Sequence, residues 1–586
     1  MQYPKIPLAQ TVIQLCKVKN IQNIVISPGS RNAPLTIGFT NDDYFTCYSI
    51  VDERCAAFFA LGMAQQSQHP TALVCTSGSA LLNYYPAIAE AFYSDIPLVV
   101  LSADRSEYLI GIGDGQTINQ PKVYKNHILY SASLKQNLEN IPRNANDDEP
   151  AIIKNIENKL ERFLGIKQQI KEENEEEINM ALNTALIKKG PVHINIPFEE
   201  PLYDVTDKLS EKPKSIEIEV KPKKMDSVDL DVCLDDWNNA SKKMILVGVN
   251  PPNIIEQKWL DELASDNSVI VFTETTSNLH NKEFFPSIDK IIAPLTDEEF
   301  KQLQPDILLT FGGLIVSKKI KAFLRKYQPK QHWHVDKKKA NDTFFCLEKH
   351  IEVSPNQFFS EFLPKLTHVK KSNYKPFWKQ VRQHRQEKHL KYLDEIQFSD
   401  FKVFDTVLKA IPKNTSLQVG NSSAIRYTQL FNLKKPIDVY CNRGTSGIDG
   451  CTSTAIGFAT KNNKQTVFVT GDLSFFYDSN ALWNNYIPKN FRIILINNGG
   501  GGIFRILPGN KDSDNFDTYF ETKHNLSAKQ LSDMYGLEYF SVDNETSLEN
   551  ELNVFFNKSQ KPKILEIFTP RKLNDSILLN YFDYIK

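Results

Sequence analysis

Two short motifs in the last third of the chain combine residue types that bind a divalent cation and a diphosphate. A predicted strand, Thr466 to Thr470, ends at Gly471-Asp472-Leu473-Ser474, and the next, Phe491 to Ile496, ends at Asn497-Asn498-Gly499-Gly500. About one strand–helix–strand crossover separates the motifs, so two parallel strands can deliver both loops to one point. We predict the crossover helix from about Tyr477 to Tyr486.

These loops offer three oxygen ligands to a metal ion, namely the Asp472 carboxylate, the Asn498 amide oxygen and the Gly500 carbonyl. Two diphosphate oxygens and a water would complete the octahedral sphere that Mg²⁺ requires. The glycines let the backbone approach the phosphates closely. Either motif alone would be interpreted as a turn. The two together, each directly after a strand, favour a metal–diphosphate site.

The elements that must position these loops belong to the last of three segments in which strands alternate with helices. The first segment contains the helix Ala56 to Gln66, and its strands are Ile21 to Ile26, Thr71 to Cys75, Pro97 to Ser102 and Pro191 to Pro197. The later strands include Met244 to Val249, Val269 to Phe272, Ile307 to Gly313, Ser416 to Val419 and Lys563 to Phe568. This alternation predicts parallel sheets that bind ligands at the carboxyl ends of their strands. We therefore predict an α/β protein with three doubly wound parallel-sheet domains.

Composition shifts predict where the domains meet. Residues 204–225 are rich in Lys, Glu and Pro with almost no apolar periodicity, which is typical of a linker. We place an N-terminal domain at 1–203, a central domain at 226–365 and a C-terminal metal- and diphosphate-binding domain at 366–586.

The bulk composition argues against several classes of protein. Among 586 residues, Lys plus Arg (69) nearly balances Asp plus Glu (70), unlike a nucleic-acid or anionic-membrane binder. No apolar run reaches the roughly 18–20 residues of a membrane span, and the N-terminus lacks the apolar stretch of a signal peptide. Eight cysteines contain no Cys-x-x-Cys pair, so we expect a cytoplasmic protein without disulfides or a zinc site.

The paired loops resemble the Gly-Asp-Gly … Asn-Asn signature of thiamine-diphosphate enzymes, with Leu473 in place of its third residue. Gly113-Asp114-Gly115 matches the letters better, but no predicted strand precedes it and we interpret it as a loop. The resemblance implies thiamine diphosphate held through Mg²⁺ or Mn²⁺ by Gly471, Asp472, Leu473, Ser474, Asn498 and Gly500. It also implies that Ile448, Phe504 and Leu507 line the cofactor cleft, although core packing would explain these apolar residues nearly as well.

Thiamine enzymes also require a carboxyl group that hydrogen-bonds N1′ of the aminopyrimidine and promotes proton removal from thiazolium C2. The candidate is Glu53, which follows Asp52 at the predicted start of a helix. The residues alone support a structural alternative, in which Asp52 caps the helix and Glu53 favours its dipole. In this superfamily the glutamate belongs to the N-terminal, pyrimidine-binding domain and meets the diphosphate across a subunit interface. The resemblance therefore implies a homodimer or a dimer of dimers.

Further motifs are more specific and span nearly the whole chain. They resemble the 2-succinyl-5-enolpyruvyl-6-hydroxy-3-cyclohexene-1-carboxylate synthase family of menaquinone biosynthesis. Among them are Ser27-Pro28-Gly29-Ser30-Arg31-Asn32, Asp52-Glu53-Arg54, Ala103-Asp104-Arg105, Gly420-Asn421-Ser422 and Asn442-Arg443-Gly444 with Ser446-Gly447-Ile448-Asp449-Gly450. This family decarboxylates 2-oxoglutarate and adds the resulting carbanion to isochorismate in a 1,4-addition.

Both of these substrates carry two carboxylates, which arginine binds well because its planar fork meets a carboxylate bidentately. The resemblance assigns the oxoglutarate-derived intermediate to Ser422, Arg426 and Arg443. It assigns isochorismate to Ser30, Arg31 and Arg105. Gln116 would lie near the reacting centre, although Asp114-Gly115 replaces the family's Ala-Asn just before it. Lys318 and Lys319 stand where the family has Lys-Arg, and only Lys318 is assigned to the substrate.

Other functions stay open. An acetolactate-synthase-like enzyme would act on pyruvate, whose single carboxylate needs fewer arginines. A non-enzymatic protein on a decayed thiamine fold would not need Glu53, Asp472 and Asn498, all of which are intact. An NAD-binding enzyme would place Gly-x-Gly-x-x-Gly after the first strand, where it is absent. His332 and His334 could ligate a metal from one predicted strand, but we expect a structural role.

Overall fold

Short runs of β-branched and aliphatic residues form three all-parallel sheets, so the predicted α/β fold is confirmed. The computed structural model describes residues 2–136, 154–219, 223–367, 371–433, 437–507, 513 and 515–586. Its strands are β1 (Tyr3–Pro4), β2 (Asn23–Ile26), β3 (Thr46–Ser49), β4 (Thr71–Cys75), β5 (Leu98–Asp104), β6 (Tyr130–Ser133), β7 (Val192–Pro197), β8 (Val205–Thr206), β9 (Lys243–Val247), β10 (Val269–Thr273), β11 (Ile307–Phe311), β12 (Gln331–Val335), β13 (Lys349–Ile351), β14 (Thr415–Val419), β15 (Ile437–Tyr440), β16 (Thr466–Gly471), β17 (Phe491–Asn497), β18 (Glu538–Val542) and β19 (Lys563–Phe568).

The helices connect these strands and cover the sheets, as parallel strands require. They are α1 (Pro7–Val18), α2 (Ala33–Thr40), α3 (Glu53–Ser67), α4 (Ala80–Asn83), α5 (Tyr85–Ser94), α6 (Lys154–Lys188), α7 (Ser227–Asn239), α8 (Gln257–Ser265), α9 (Ile288–Ile292), α10 (Asp297–Leu303), α11 (Lys318–Lys326), α12 (Pro355–Phe362), α13 (Tyr374–Glu395), α14 (Asp400–Ala410), α15 (Ser423–Thr428), α16 (Cys451–Lys461), α17 (Asp472–Tyr477), α18 (Ile503–Ile506), α19 (Lys529–Tyr535), α20 (Glu545–Phe555) and α21 (Asn574–Tyr584). No helix within the described ranges is long and apolar enough to cross a membrane.

One helix prediction is wrong. The crossover helix expected from Tyr477 to Tyr486 begins instead at Asp472, directly at the end of β16, and ends at Tyr477. An acidic residue in the first turn favours a helix N-terminus, and Asp472 also accepts a hydrogen bond from Leu473 N at 2.7 Å. A short 3₁₀ turn, Ser479–Leu482, follows where a longer helix was expected.

The chain divides into two compact units. The first comprises Met1–Val220, Ser453–Asn462 and Asp478–Ile487. Its sheet has the strand order β3-β2-β4-β5-β7-β6 and buries a continuous apolar core. The segment predicted as a linker contacts this unit, because β8 pairs with β1 and Asn183 Nδ2 donates to Ile216 O at 2.8 Å. The domain boundaries given above stay a prediction.

The second unit comprises Lys221–Thr452, Asn463–Tyr477 and Pro488–Lys586, with two sheets. Their strand orders are β10-β9-β11-β12-β13 and β15-β14-β16-β17-β19-β18. His332 and His334 lie on β12, and both rings hydrogen-bond the Thr310 hydroxyl, at 2.9 and 2.8 Å. Burial lowers the pKa of His332 to about 4. A neutral, hydrogen-bonded ring supports the structural role that we expect for this pair.

Candidate functional site

The carboxyl ends of β16 and β17 lie side by side in the second unit and bring the two predicted metal motifs together. Gly471 is paired with Ile496 in the register of these strands. Asp472 is only 3% exposed, and its Oδ2 accepts hydrogen bonds from Gly499 N at 2.9 Å and Gly500 N at 3.0 Å. The glycine loop is therefore bound directly to the carboxylate predicted to hold the metal.

The Asn498 side chain presents a buried oxygen that lacks a partner. Its Nδ2 donates to Asp400 Oδ2 at 2.9 Å, whereas its Oδ1 is buried without a hydrogen-bond partner in the part of the chain that the structure describes. An unsatisfied buried acceptor costs about 1–3 kcal/mol. A cation bound at Asn498 Oδ1 would remove this cost.

The backbone at Gly471 leaves room for a ligand, whereas the glycines after Asn498 allow a tight turn and close packing. Gly499 adopts a φ of 77°, which side chains rarely tolerate, and a Cβ at Gly500 would lie 2.8 Å from Glu521 O. At Gly471 an added Cβ would meet no atom of the described residues within 4 Å, so open space borders this glycine. The donor set and the space fit a divalent cation with a diphosphate. No cluster of three or more His, Cys, Asp or Glu residues offers a competing metal site in the described ranges.

The residues predicted to line the cofactor cleft are not core residues in this chain. Phe504 and Leu507 are 37% and 40% exposed, and Ile448 is half-buried. The Ser474 hydroxyl donates to Ile448 O at 3.1 Å, which ties the loop containing Ile448 to α17. Core packing therefore does not explain Phe504 and Leu507.

A second group of predicted residues lies at the ends of β14 and β15. Ser422 precedes α15 with φ 66° and ψ −127°, a strained backbone that is often found at functional sites. Arg443 Nη1 donates to Asn421 Oδ1 at 2.8 Å, while its buried Nε has no hydrogen-bond partner among the described residues. Burial, and then the charge of Arg443, lower the pKa of Arg426. The carboxylate of Asp289 acts in the opposite direction on Arg426, and an anion bound between the two arginines would relieve their repulsion.

Glu274 was not predicted, although it follows a buried strand as Asp472 does. Its carboxylate accepts hydrogen bonds from Val316 N and Ser317 N, both at 2.8 Å, and burial raises its pKa to about 7. These contacts hold the loop before α11, the helix that begins at Lys318. Lys318 is exposed, and the Lys319 ammonium lies 4.9 Å from the centre of the Phe582 ring.

In the first unit, Glu53 is the first residue of α3. Asp52 is its N-cap and accepts a hydrogen bond from Cys55 N at 3.2 Å, so the capping role of Asp52 is confirmed. Glu53 is half-buried, and this burial raises the pKa of its carboxyl group, while a hydrogen bond with Asn83 acts in the opposite direction. A carboxyl with a raised pKa retains a proton more readily than an exposed one, as proton exchange with a bound base requires.

Arg31 and Arg105 lie close together in the same unit. Arg31 is 6% exposed, and its Nη1 donates to Phe198 O at 3.1 Å. Burial, and then the charge of Arg105, lower its pKa. Arg105 Nε donates to Gly115 O at 2.9 Å and lies 3.2 Å from Asp114 Oδ2. Arg105, which we predict to bind isochorismate, thus holds the loop that contains Gly113-Asp114-Gly115.

The remaining two predictions in this unit are surface residues. Ser30 and Gln116 are exposed, and Gln116 adopts a left-handed φ of 55°. The exposed Gln116 follows directly after the Asp114-Gly115 pair, which Arg105 contacts.

Comparison with known proteins covers the same segments. The chain matches the thiamine pyrophosphate enzyme N-terminal TPP-binding domain over residues 6–124, the middle domain over 224–419 and the C-terminal TPP-binding domain over 418–567. It is 55% identical to the 2-succinyl-5-enolpyruvyl-6-hydroxy-3-cyclohexene-1-carboxylate synthase of Flavobacterium psychrophilum, covering 99% of both chains. The identity is 56% to the Christiangramia forsetii synthase, over 100% of both chains, and 35% to that of Porphyromonas gingivalis, over 98% and 96%.

Proposed function

The chain belongs to the 2-succinyl-5-enolpyruvyl-6-hydroxy-3-cyclohexene-1-carboxylate synthase family, and from that premise we propose how its residues serve the reaction. It is a thiamine-diphosphate-dependent enzyme of menaquinone biosynthesis that decarboxylates 2-oxoglutarate and joins the remaining succinyl group to isochorismate. The single observation that supports these substrates best is the pair of neighbouring arginines, Arg426 and Arg443, beside Ser422.

Asp472, Asn498 Oδ1 and the Gly500 carbonyl would hold Mg²⁺ or Mn²⁺. Asp472 Oδ1 accepts a hydrogen bond from Leu473 N, whereas Oδ2 accepts two from the glycine loop. Since each carboxylate oxygen has two lone pairs, Oδ1 is the freer ligand. When bound, thiamine diphosphate supplies the electron sink for decarboxylation and the nucleophilic carbon for C–C bond formation.

Glu53 exchanges the proton that the cofactor needs. Its carboxyl group would hydrogen-bond N1′ of the aminopyrimidine, and its burial raises its pKa, which favours the protonated form that this bond needs. Asp52 caps the start of α3 and so fixes the backbone position from which the Glu53 side chain extends. Gln116 assists near the reacting centre.

The arginines bind and orient the carboxylates of both substrates. Arg426 and Arg443, with Ser422, hold the group derived from 2-oxoglutarate, while Ser30, Arg31 and Arg105 hold isochorismate. Lys318 supplies a further cation at the start of α11. Each charge-assisted hydrogen bond contributes about 1.5–3 kcal/mol to binding. A second arginine beside the first makes the binding of a carboxylate more favourable still.

We further propose a homodimer or a dimer of dimers in the cytoplasm. Glu53 of one subunit and the metal-binding residues of another would complete each active site, as in the wider superfamily. All eight cysteines are free, which suits a reducing compartment.

An assay with both substrates tests this function. The purified chain, with thiamine diphosphate and Mg²⁺, is expected to consume isochorismate only when 2-oxoglutarate is present. Pyruvate in place of 2-oxoglutarate is the matched control, because it lacks the second carboxylate. Loss of isochorismate absorbance without 2-oxoglutarate would refute the coupling. Faster CO₂ release from pyruvate would instead favour the acetolactate-synthase-like alternative.

A further inference from the structure

Asp400, the first residue of α14, lies behind the candidate metal site and is only 3% exposed. Its Oδ2 accepts the hydrogen bond from Asn498 Nδ2 at 2.9 Å, and its Oδ1 accepts one from the Thr569 hydroxyl at 2.6 Å. Its backbone N donates to Asn574 Oδ1 at 2.8 Å. Asp400 is therefore fixed by α21 and by the residue after β19, and it contacts a predicted metal ligand.

This contact matters because the two ends of an asparagine amide have the same shape but opposite chemistry. The oxygen can bind a cation, whereas the NH₂ group carries hydrogens and cannot. A carboxylate accepts hydrogen bonds, so Asp400 selects the NH₂ end of Asn498 for itself. The buried Oδ1 of Asn498, which has no partner among the described residues, is left on the other side.

We propose that Asp400 is a positioning residue that sets the orientation of the Asn498 amide, so that oxygen and not nitrogen faces the metal. The inference rests on the proposed cofactor site and adds a residue behind its ligands. Residues behind metal ligands commonly change metal affinity by 10–100-fold when they are replaced.

Three variants test this orientation. In Asp400→Asn the new amide can donate to Asn498 Oδ1, which lets Asn498 turn its NH₂ group toward the metal. In the exchanged pair Asp400→Asn/Asn498→Asp the new amide donates to one carboxylate oxygen, and the other oxygen faces the metal again. Thr569→Val is the matched control, because it removes the hydrogen bond to Asp400 Oδ1 and leaves the bond to Asn498 intact.

The measurement is Mn²⁺ affinity in the presence of thiamine diphosphate, from the EPR signal of free Mn²⁺, together with the unfolding midpoint of each chain without cofactor. We expect Asp400→Asn to weaken Mn²⁺ binding about tenfold or more, Thr569→Val to change it about threefold or less, and the exchanged pair to recover most of the loss. If Asp400 only stabilised the fold, weaker Mn²⁺ binding would follow from lost stability, and the exchanged pair would not recover it. Recovery in the exchanged pair therefore indicates positioning.

Two results would overturn the proposal. One is an Asp400→Asn variant that binds Mn²⁺ as tightly as the wild type. The other is an exchanged pair that binds Mn²⁺ no more tightly than Asp400→Asn does. If Asp400→Asn does not fold, an exchanged pair that fails to bind Mn²⁺ would overturn the proposal instead. If the wild type itself fails to retain Mn²⁺ with thiamine diphosphate, the cofactor proposal fails first, which is a separate and recognisable outcome.

Discussion

Glu53 and Asp472 are acidic residues in similar local positions, yet their surroundings suit them to different chemistry. Each is the first residue of a helix that follows a strand of a parallel sheet. Three backbone N–H groups, from Leu473, Gly499 and Gly500, bind the Asp472 carboxylate. Glu53 is half-buried instead, and burial raises its pKa. A fixed carboxylate suits a cation, and a carboxyl with a raised pKa suits proton exchange, so the surroundings decide the role.

The largest effect is expected for Glu53→Gln. The amide keeps the shape of the side chain but cannot exchange the proton, so kcat should fall by about 10²–10⁴-fold. The affinity for thiamine diphosphate, measured by intrinsic fluorescence, should stay within a few-fold of wild type, since the diphosphate loops are unchanged. Near-normal turnover would remove the distinction between the two acids.

Asp472→Asn should weaken the binding of the metal ion. The new amide would direct hydrogens either at the metal or at the N–H groups of Gly499 and Gly500, so Mg²⁺ affinity should fall by about 100-fold or more. Titration of Mg²⁺ against bound thiamine diphosphate measures this loss. Asp543→Asn, at an exposed aspartate of the same unit, is the control and should bind as the wild type does. An equal loss in both variants would contradict the metal assignment.

Arg443→Lys tests whether the arginines recognise the substrate. Lysine keeps the charge but loses the planar fork, so KM for 2-oxoglutarate should rise about tenfold, which corresponds to about 1.4 kcal/mol. Steady-state kinetics with 2-oxoglutarate varied at saturating isochorismate measures it. Arg325→Lys, at an exposed arginine that donates to Thr343 O, should leave KM unchanged. A drop in kcat at constant KM would contradict a role of Arg443 in binding 2-oxoglutarate.

Asp52→Ala should produce the smallest effect and separates Asp52 from its neighbour Glu53. Loss of the N-cap should lower the free energy of unfolding by about 1 kcal/mol, because Cys55 N loses its acceptor. Chemical denaturation measures the change, and kcat at 25 °C should fall far less than in Glu53→Gln. Unchanged stability with a loss of turnover as large as that of Glu53→Gln would reverse the roles that we assign to the two residues.

The central strands of the fold and the meeting of the loops after β16 and β17 could be predicted from the sequence, because buried parallel strands are continuous apolar runs. Thr71–Cys75 and Lys563–Phe568 are found where predicted. The edge strand Ile437–Tyr440 was missed, since it pairs on one side only and includes polar residues. Edge strands tolerate such residues, which weakens the apolar pattern.

The residues behind the site could not be predicted in the same way. Asp400 is 98 positions from Asn498 along the chain, and only the folded structure brings the two together. Glu274 did carry a signal, because it directly follows β10, but its partners Val316 and Ser317 are also distant in sequence. Local pattern predicts the candidate ligands, and tertiary contacts show which residues lie behind them.

The central claim, that Glu53 and Asp472 complete one active site from two subunits, is tested most directly by mixing inactive variants. Glu53→Gln and Asp472→Ala chains, each inactive alone, are co-expressed with different tags, and turnover of isochorismate with 2-oxoglutarate is measured. A hybrid dimer would contain one site with both acids intact, so random mixing should restore about a quarter of wild-type activity. Hybrid dimers with no activity above that of the separate variants would contradict a site shared between subunits.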